Sequence, residues 1–154
     1  MQQRLDYWKT EPALLKAVLE LDTAARESGL DIGLVHLVKV RASQINGCSY
    51  CVDMHSREAR RDGESEQRIR LVSAWRESPL FSPRERAAFE WTERLTRIAD
   101  GHVTDSDYEA VRGHFSESEL VKLTVLIGVI NIWNRIAVPF RSVHPVIDDK
   151  SRAA

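Results

Sequence analysis

The chain has 154 residues, of which 43% are hydrophobic and 29% charged, and its formal net charge at pH 7 is −1. This length and composition predict a single globular domain of a soluble protein, built around one hydrophobic core. Because the 22 basic and 23 acidic residues are mixed along the chain, the sequence lacks the basic patch expected of a protein that binds nucleic acid or an anionic membrane surface.

Two features of the chain bear on its localisation. The N-terminal segment has no apolar core run and no small-residue cleavage site, so we expect no secretory signal. The longest apolar stretch, residues 123–130, is interrupted by Thr124 and Gly128, and it is shorter than the roughly 20 residues needed to span a bilayer. The sequence therefore predicts a cytoplasmic protein without a membrane span.

Capping and breaking residues divide the first half of the chain into helices, and no strand pattern is evident. Pro12 begins a helix that Gly29 ends, because proline is favoured in the first turn and glycine just beyond the last. Asp31 caps a second helix that continues to Asn46-Gly47, and a third extends from Cys48 to Asp62-Gly63. Ser65 caps a fourth helix.

The second half of the chain contains three capping boxes, in which a hydroxyl residue precedes an acidic residue by three positions. They are Ser82/Glu85, Thr104/Asp107 and Ser116/Glu119. The last begins a long helix limited by Pro139, and this helix is apolar on more than one face, as expected for either a central core helix or a subunit contact. We predict an all-α fold, a compact bundle of about seven helices in residues 1–145, followed by a disordered tail at 146–154.

The residues that carry chemistry form the motif C-x-x-C-x-x-x-H at Cys48, Cys51 and His55. At about 100° per helical residue, the three side chains lie within a sector of roughly 60° and can share one pocket. Two cysteines at this spacing on a helix can form a disulfide, and the start of a helix favours a thiolate. His55 can accept a proton from Cys51 or pair with its thiolate. The motif therefore favours redox chemistry, with a thiolate and a resolving thiol side by side.

Metal binding is the main alternative reading of the same residues. Cys48, Cys51 and His55 together with His36 could make a Cys2His2 zinc set if the helix that carries His36 lies alongside. With three ligands on one short helical face, the fourth ligand of a tetrahedral zinc site must approach from one precise direction. This requirement favours redox chemistry over zinc binding. A Cys-His hydrolase is a weaker alternative, because the neighbouring thiol would quench the nucleophile as a disulfide.

Residues 41–55, Arg-Ala-Ser-Gln-Ile-Asn-Gly-Cys-Ser-Tyr-Cys-Val-Asp-Met-His, closely resemble the core of the AhpD-like alkylhydroperoxidases, a branch of the carboxymuconolactone decarboxylase family. The similarity extends to Ala74-Trp75-Arg76, to Ser82, Glu85 and Arg86, and to the segment from Asn131 to Arg135. The resemblance implies a helical fold that assembles into homo-oligomers, commonly trimers or hexamers. It also implies hydroperoxide reduction without a bound cofactor or metal, with a dithiol partner, lipoylated or thioredoxin-like, as the reductant.

In the scheme that the resemblance implies, Cys51 is peroxidatic, Cys48 is resolving and His55 belongs to the proton relay. The chain departs from the family pattern where well-studied members have a glutamate twelve residues before the first motif cysteine, because His36 occupies that position. Histidine can act as a base when neutral or stabilise a thiolate when protonated, so His36 is a candidate catalytic residue. We therefore predict a hydroperoxide reductase that cycles through a Cys48–Cys51 disulfide, the alternative being a non-enzymatic zinc-binding or redox-sensing module.

Overall fold

The computed structural model describes residues 1–146, and within that range the chain is all-α, with eight α-helices and no strand. The helices are α1 (Tyr7–Thr10), α2 (Pro12–Arg26), α3 (Ile32–Ile45), α4 (Ser49–Arg61), α5 (Glu66–Leu71), α6 (Pro83–Thr96), α7 (Asp105–Arg112) and α8 (Glu117–Phe140). Short 3-10 helices follow α5 and α6, at Val72–Glu77 and Ile98–Asp100. The predicted helical fold is confirmed; apart from Val146, the predicted tail lies outside the described residues.

The caps predicted from the sequence account for the helix starts. Asp31 and Ser65 each accept a hydrogen bond from a backbone N–H in the first turn of the helix that follows. All three capping boxes are formed, each with the reciprocal pair of side-chain and backbone bonds. Pro139 lies in the last turn of α8, which ends one residue later at Phe140. These local signals depend on neighbouring residues alone, so they could be predicted without the fold.

Helix α3 lies at the centre of the domain and contacts α4, α6 and α8. One core cluster joins α3 to α2, α6, α7 and α8, and a second joins α3 to α4, α5 and α6. In the second cluster, Phe89 is fully buried, with its ring edge-on to Phe81 and tilted against Trp75. Because α3 is packed against α4, α6 and α8, the side chains that it directs towards α4 are held in place by this packing.

Helix α8 contacts α2, α3, α4, α6 and α7, with residues such as Leu123, Leu126 and Ile130 fully buried. By length and composition alone it could also cross a membrane, a property that core helices of soluble proteins share. Val121 and Val125 on the same helix are exposed. Helix α8 therefore has a side that belongs to the core, and it also has exposed apolar residues of the kind that a subunit contact would use.

Candidate active site

The turn between α3 and α4 places Cys48 at the start of α4. Gly47 adopts φ +67°, a left-handed conformation that glycine tolerates, and it ends α3 after Asn46. Cys48 then becomes the N-cap of α4, and its Sγ accepts a hydrogen bond of 3.3 Å from the backbone N–H of Cys51. The sequence predicted Cys48 in the first turn of this helix, and the structure places it one position earlier, as the cap itself.

The two sulfurs are in direct contact. The Sγ atoms of Cys48 and Cys51 are 2.7 Å apart, both cysteines are free thiols, and both are buried. When Cys48 ionises, the thiol of Cys51 donates to its thiolate, and this hydrogen bond is the main cause that lowers the pKa of Cys48 to about 7. The same bond and burial raise the pKa of Cys51. The first proton to leave the pair therefore comes from Cys48, and Cys51 keeps its proton.

A buried amide network holds the cysteines against α8. Asn134 is 1% exposed, donates to the Oγ of Ser43 at 3.1 Å and accepts from Asn46 at 2.8 Å. The side-chain amide of Asn134 also acts to lower the pKa of each thiol, after the larger contributions described above. Asn134 thus links the turn before α4 to the last third of α8 and stabilises negative charge at the cysteine pair.

His55 lies one turn after Cys51 and is 3% exposed. Its Nδ1 is 2.8 Å from an Oε atom of Glu58, three residues later on α4. The hydrogen bond from His55 lowers the pKa of Glu58, so the carboxylate is ionised and can only accept, which assigns the proton to Nδ1. Burial lowers the pKa of His55, so the ring is neutral and its Nε2 carries a lone pair. That Nε2 is buried and has no hydrogen-bond partner.

His36 belongs to the same region but is bonded elsewhere. It is 2% exposed, and its Nε2 lies 2.8 Å from the carboxylate of Asp62, the C-cap of α4. Its Nδ1 is buried without a hydrogen-bond partner. The bond to Asp62 joins α3 to the end of α4, and His36 shares a cavity with His55. Whether His36 takes part in proton transfer stays a prediction.

The four residues predicted as zinc ligands are not arranged as a metal site in the part of the chain that the structure describes. Within residues 1–146, no group of three or more histidine, cysteine, aspartate or glutamate side chains is arranged to hold a metal ion. The proposed fourth ligand, His36, directs Nε2 to Asp62, and His55 directs Nδ1 to Glu58. In this arrangement both histidines are turned towards carboxylates of α4 and its C-cap.

Two cavities border the site, and Tyr50 lines both of them. A pocket of about 230 Å³ contains Cys48 in its wall, together with the last residues of α8. A cavity of about 270 Å³ is lined by His36, His55 and Glu58, and by the stacked rings of Trp8 and Trp133. Cys48 therefore borders one cavity, and the two histidines border the other.

Sequence reasoning missed Glu58 as part of the site and identified Asn134 only within a resembling segment. Glu58 lies in the charged run Ser56–Arg61, which is typical of a solvated helix face. Its spacing of three residues after His55 was the available signal, because side chains three apart on a helix are neighbours. The contacts of Asn134 with Ser43 and Asn46 join residues 91 and 88 positions apart, and no local pattern predicts such pairs.

Comparison with known proteins shows the family to which the chain belongs. A model of the carboxymuconolactone decarboxylase family matches residues 12–94. The chain is also 40% identical over 138 residues to YdfG, an uncharacterised protein of Bacillus subtilis, across 90% of this chain and 94% of that one. The chain belongs to the carboxymuconolactone decarboxylase family.

Solved structures place it in the AhpD-like part of that family. ATU0492 of Agrobacterium tumefaciens, a protein of unknown function described as a candidate antioxidant defence protein AhpD, is 51% identical, with a TM-score of 0.92 over 95% of this chain and all of that one. A peroxidase-related protein of Ralstonia eutropha with an alkylhydroperoxidase AhpD core is 21% identical, with a TM-score of 0.80 over 90% of this chain and 74% of that one. The second likeness supports the fold of this AhpD-like protein, and the first extends to its sequence.

Proposed function

We propose that this AhpD-like protein is a thiol-dependent hydroperoxide reductase that cycles through a Cys48–Cys51 disulfide. The observation that carries the proposal is the 2.7 Å contact between the two sulfurs at the N-terminus of α4, where the contact with Cys51 lowers the pKa of Cys48 to about 7. A thiolate with a second thiol in contact can reduce an O–O bond and then form a disulfide without backbone rearrangement. The antioxidant and peroxidase-related descriptions of its relatives support the same class of enzyme.

The reaction has two steps at the cysteine pair. The Cys48 thiolate attacks the terminal oxygen of the hydroperoxide, the O–O bond breaks, and the leaving alkoxide takes up a proton to become an alcohol, which leaves a sulfenic acid on Cys48. The Cys51 thiol then attacks the Cys48 sulfur; its proton passes to the departing hydroxide, and water and a disulfide result. Each cycle consumes one hydroperoxide and oxidises two thiols.

This order reverses the one that the family resemblance implies, in which Cys51 attacks first. Three observations support the reversal. Cys48 is part of the wall of the 230 Å³ pocket, whereas Cys51 is not. Cys48 accepts a hydrogen bond from the backbone N–H of Cys51, and as a thiolate it accepts a second from the Cys51 thiol, which lies 2.7 Å away. His55, a buried base on the same helix, follows Cys51 by one turn, where it can activate the resolving thiol.

The oxidised enzyme needs a dithiol to return it to the reduced state. Thiol–disulfide exchange proceeds by attack on an accessible sulfur, and the pocket beside Cys48 offers that access. We propose a lipoylated or thioredoxin-like protein as the reductant, acting in the cytoplasm. We further propose that the protein works as a homo-oligomer, a trimer or a hexamer, in which the exposed apolar residues of α8 contribute to subunit contacts.

Stoichiometric organic hydroperoxide should convert the reduced protein to a form lighter by two hydrogens, with the disulfide within one chain. The contact between the sulfurs makes closure within the chain faster than any reaction between chains. Intact-mass spectrometry, followed by peptide mapping of the Cys48–Cys51 segment and re-reduction with dihydrolipoamide, measures this. Disulfide-linked dimers as the main product would rule out the proposed cycle.

Replacing His36 by alanine should slow thiol oxidation by hydroperoxide by a factor on the order of ten, because the residue borders the cavity of His55. His36→Glu should retain the rate, since the relatives resembled by this chain have glutamate there. Stopped-flow oxidation of both variants measures the effect, with Asp62→Asn as a control that weakens the bond to His36, together with the ion pairs of Asp62 with Arg26 and Arg61, and leaves the His36 ring in place. Equal rates in the wild type and His36→Ala would limit His36 to a structural role.

A further inference from the structure

The pocket beside Cys48 contains a cationic residue that the proposed cycle does not use. Arg141 lies in the wall of this pocket of about 230 Å³, together with Tyr50, Ala137 and Val138. No acidic residue of the described part of the chain belongs to the wall. At roughly 30 Å³ per water, the pocket has the volume of about eight waters, so it accommodates a small organic molecule. Such a molecule would meet apolar side chains and one positive charge beside the sulfur.

The end of α8 does not by itself account for an arginine at position 141. Arg141 follows the helix in the left-handed conformation, with φ +55°, and among residues 1–146 no other non-glycine residue has a positive φ. Glycine adopts this conformation without strain and is the usual residue at such a helix end. The last carbonyls of α8 also have another arginine as their partner, because Arg4 donates to Pro139 from Nη1 and to Phe140 from its backbone N–H, each at 3.0 Å.

The positive charge at this end of α8 is not compensated by carboxylates of the described residues. The guanidinium of Arg141 has no hydrogen bond or ion pair within residues 1–146. Arg135 borders an adjoining cavity that shares Val138 with the Cys48 pocket, and it bonds only to the two oxygens of Asn131, at 3.2 Å and 2.7 Å. By contrast, every arginine of α4 pairs with a carboxylate. Uncompensated charge of one sign beside a pocket favours a ligand of the opposite sign.

We propose that Arg141 determines substrate specificity at Cys48 by binding the carboxylate of an anionic organic hydroperoxide. The inference rests on the proposed function and names its substrate class. Arginine binds a carboxylate through two parallel N–H···O bonds, while the apolar part of the substrate packs on Tyr50 and Val138. Cys48 is 2% exposed, so a substrate has to enter the pocket to reach the sulfur. This requirement favours a small carboxylate over the acidic surface of a protein as the ligand of Arg141.

Two matched pairs of reagents test this role. The first pair is cumene hydroperoxide and its 4-carboxylate, compared in single turnovers of the reduced protein. The second pair is iodoacetamide and iodoacetate, which alkylate Cys48 with loss of iodide and differ in that iodoacetate carries a carboxylate. Each pair gives a ratio of the rate for the anionic reagent to the rate for the neutral one. Because a change in the thiolate itself alters both rates of a pair, it cancels in the ratio.

The variants separate charge from structure. Arg141→Gln removes the charge, and Arg141→Lys keeps it. Arg141→Gly also removes the charge and suits the left-handed backbone, so this variant retains the end of α8. Arg70→Gln is the matched control, because Arg70 is exposed on α5, has no carboxylate partner within residues 1–146 and is not part of the pocket wall. Melting temperatures of all variants are measured in parallel.

We expect both ratios to fall about fivefold in Arg141→Gln and Arg141→Gly at low ionic strength, which is the effect of removing a charge about 4 Å from a carboxylate in water. Arg141→Lys should keep most of the preference, and Arg70→Gln should keep the wild-type ratios. In about 1 M salt the difference between the wild type and Arg141→Gln should largely disappear, because the Debye length is then about 3 Å.

The specificity role is overturned if the hydroperoxide ratio of Arg141→Gln equals that of the wild type, or if it falls equally in Arg70→Gln. A lower melting temperature with unchanged ratios would limit Arg141 to a structural role at the end of α8. If neither hydroperoxide is consumed, the alkylation ratio decides. A fall in that ratio would show that Arg141 binds carboxylates while the peroxidase function fails, and an unchanged ratio would overturn both proposals.

Discussion

Replacing Cys51 by serine should leave a protein that consumes one equivalent of hydroperoxide and stops with a sulfenic acid on Cys48. The reason is that Cys48 still attacks the peroxide, while serine cannot supply the sulfur that displaces hydroxide. Its hydroxyl can still donate a hydrogen bond to Cys48, which retains part of the stabilisation of the thiolate. Replacing Cys48 by serine should instead reduce hydroperoxide consumption by roughly a thousandfold or more, as expected when the nucleophile is removed.

Trapping with dimedone, followed by peptide mass spectrometry, locates the sulfenic acid. The expected product carries dimedone on Cys48 in the Cys51→Ser protein and no adduct in the Cys48→Ser protein. An adduct on Cys51 in the Cys48→Ser protein, with normal hydroperoxide consumption, would restore the order that the family resemblance implies. In that case His55 would activate the attacking sulfur rather than the resolving one.

The reaction of Cys48 with an alkylating reagent should show an inflection near pH 7 in the wild type. The hydrogen bond from Cys51 is the main cause that lowers the pKa of Cys48 to about 7, against an opposing effect of burial. Because the pKa is lowered, the thiolate is present above this value and is lost as the pH falls through it. Cys51→Ala removes the thiol donor, so the inflection should move towards the ordinary thiol value of about 8.5, and alkylation at pH 7 should slow roughly tenfold.

Iodoacetamide labelling of Cys48 from pH 5.5 to pH 9.5, read out by mass spectrometry, measures this shift. Cys51→Ser is the control, because its hydroxyl preserves a donor at the same position. The backbone N–H of Cys51 and the side chain of Asn134 remain in both variants and keep part of the effect. Identical profiles in the wild type and Cys51→Ala would show that the contact between the sulfurs does not control the acidity of Cys48.

The parts of the site that the sequence could predict are those set by a single helix. Cys48, Cys51 and His55 come together because their spacing follows the helical repeat, and the caps of the surrounding helices depend on residues three positions apart. The same local geometry also placed Glu58 beside His55. This contact was missed because glutamate among arginines usually belongs to a solvated face. The spacing of three residues was informative only once the histidine was known to be buried.

The contacts between helices could not be predicted in this way. His36 was identified by its position relative to the motif, but its partner Asp62 is 26 residues away and became apparent only from the packing of α3 on the end of α4. The pair of Lys39 with Asp22 and the amide bonds of Asn134 depend on how α2 and α8 approach the same centre. Helix α3 is buried over most of its length, including its polar residues His36, Lys39 and Ser43, so its pattern does not show which side faces which neighbour.

The most direct measurement of the central claim is the product balance of a single turnover with cumene hydroperoxide. We expect one 2-phenyl-2-propanol to form for every two thiols lost, with both thiols recovered after reduction by a dithiol. The Cys48→Ser protein should form no alcohol above the buffer control. Loss of both thiols without alcohol, or unreacted hydroperoxide beside two free thiols, would contradict reduction of hydroperoxides by the Cys48–Cys51 pair.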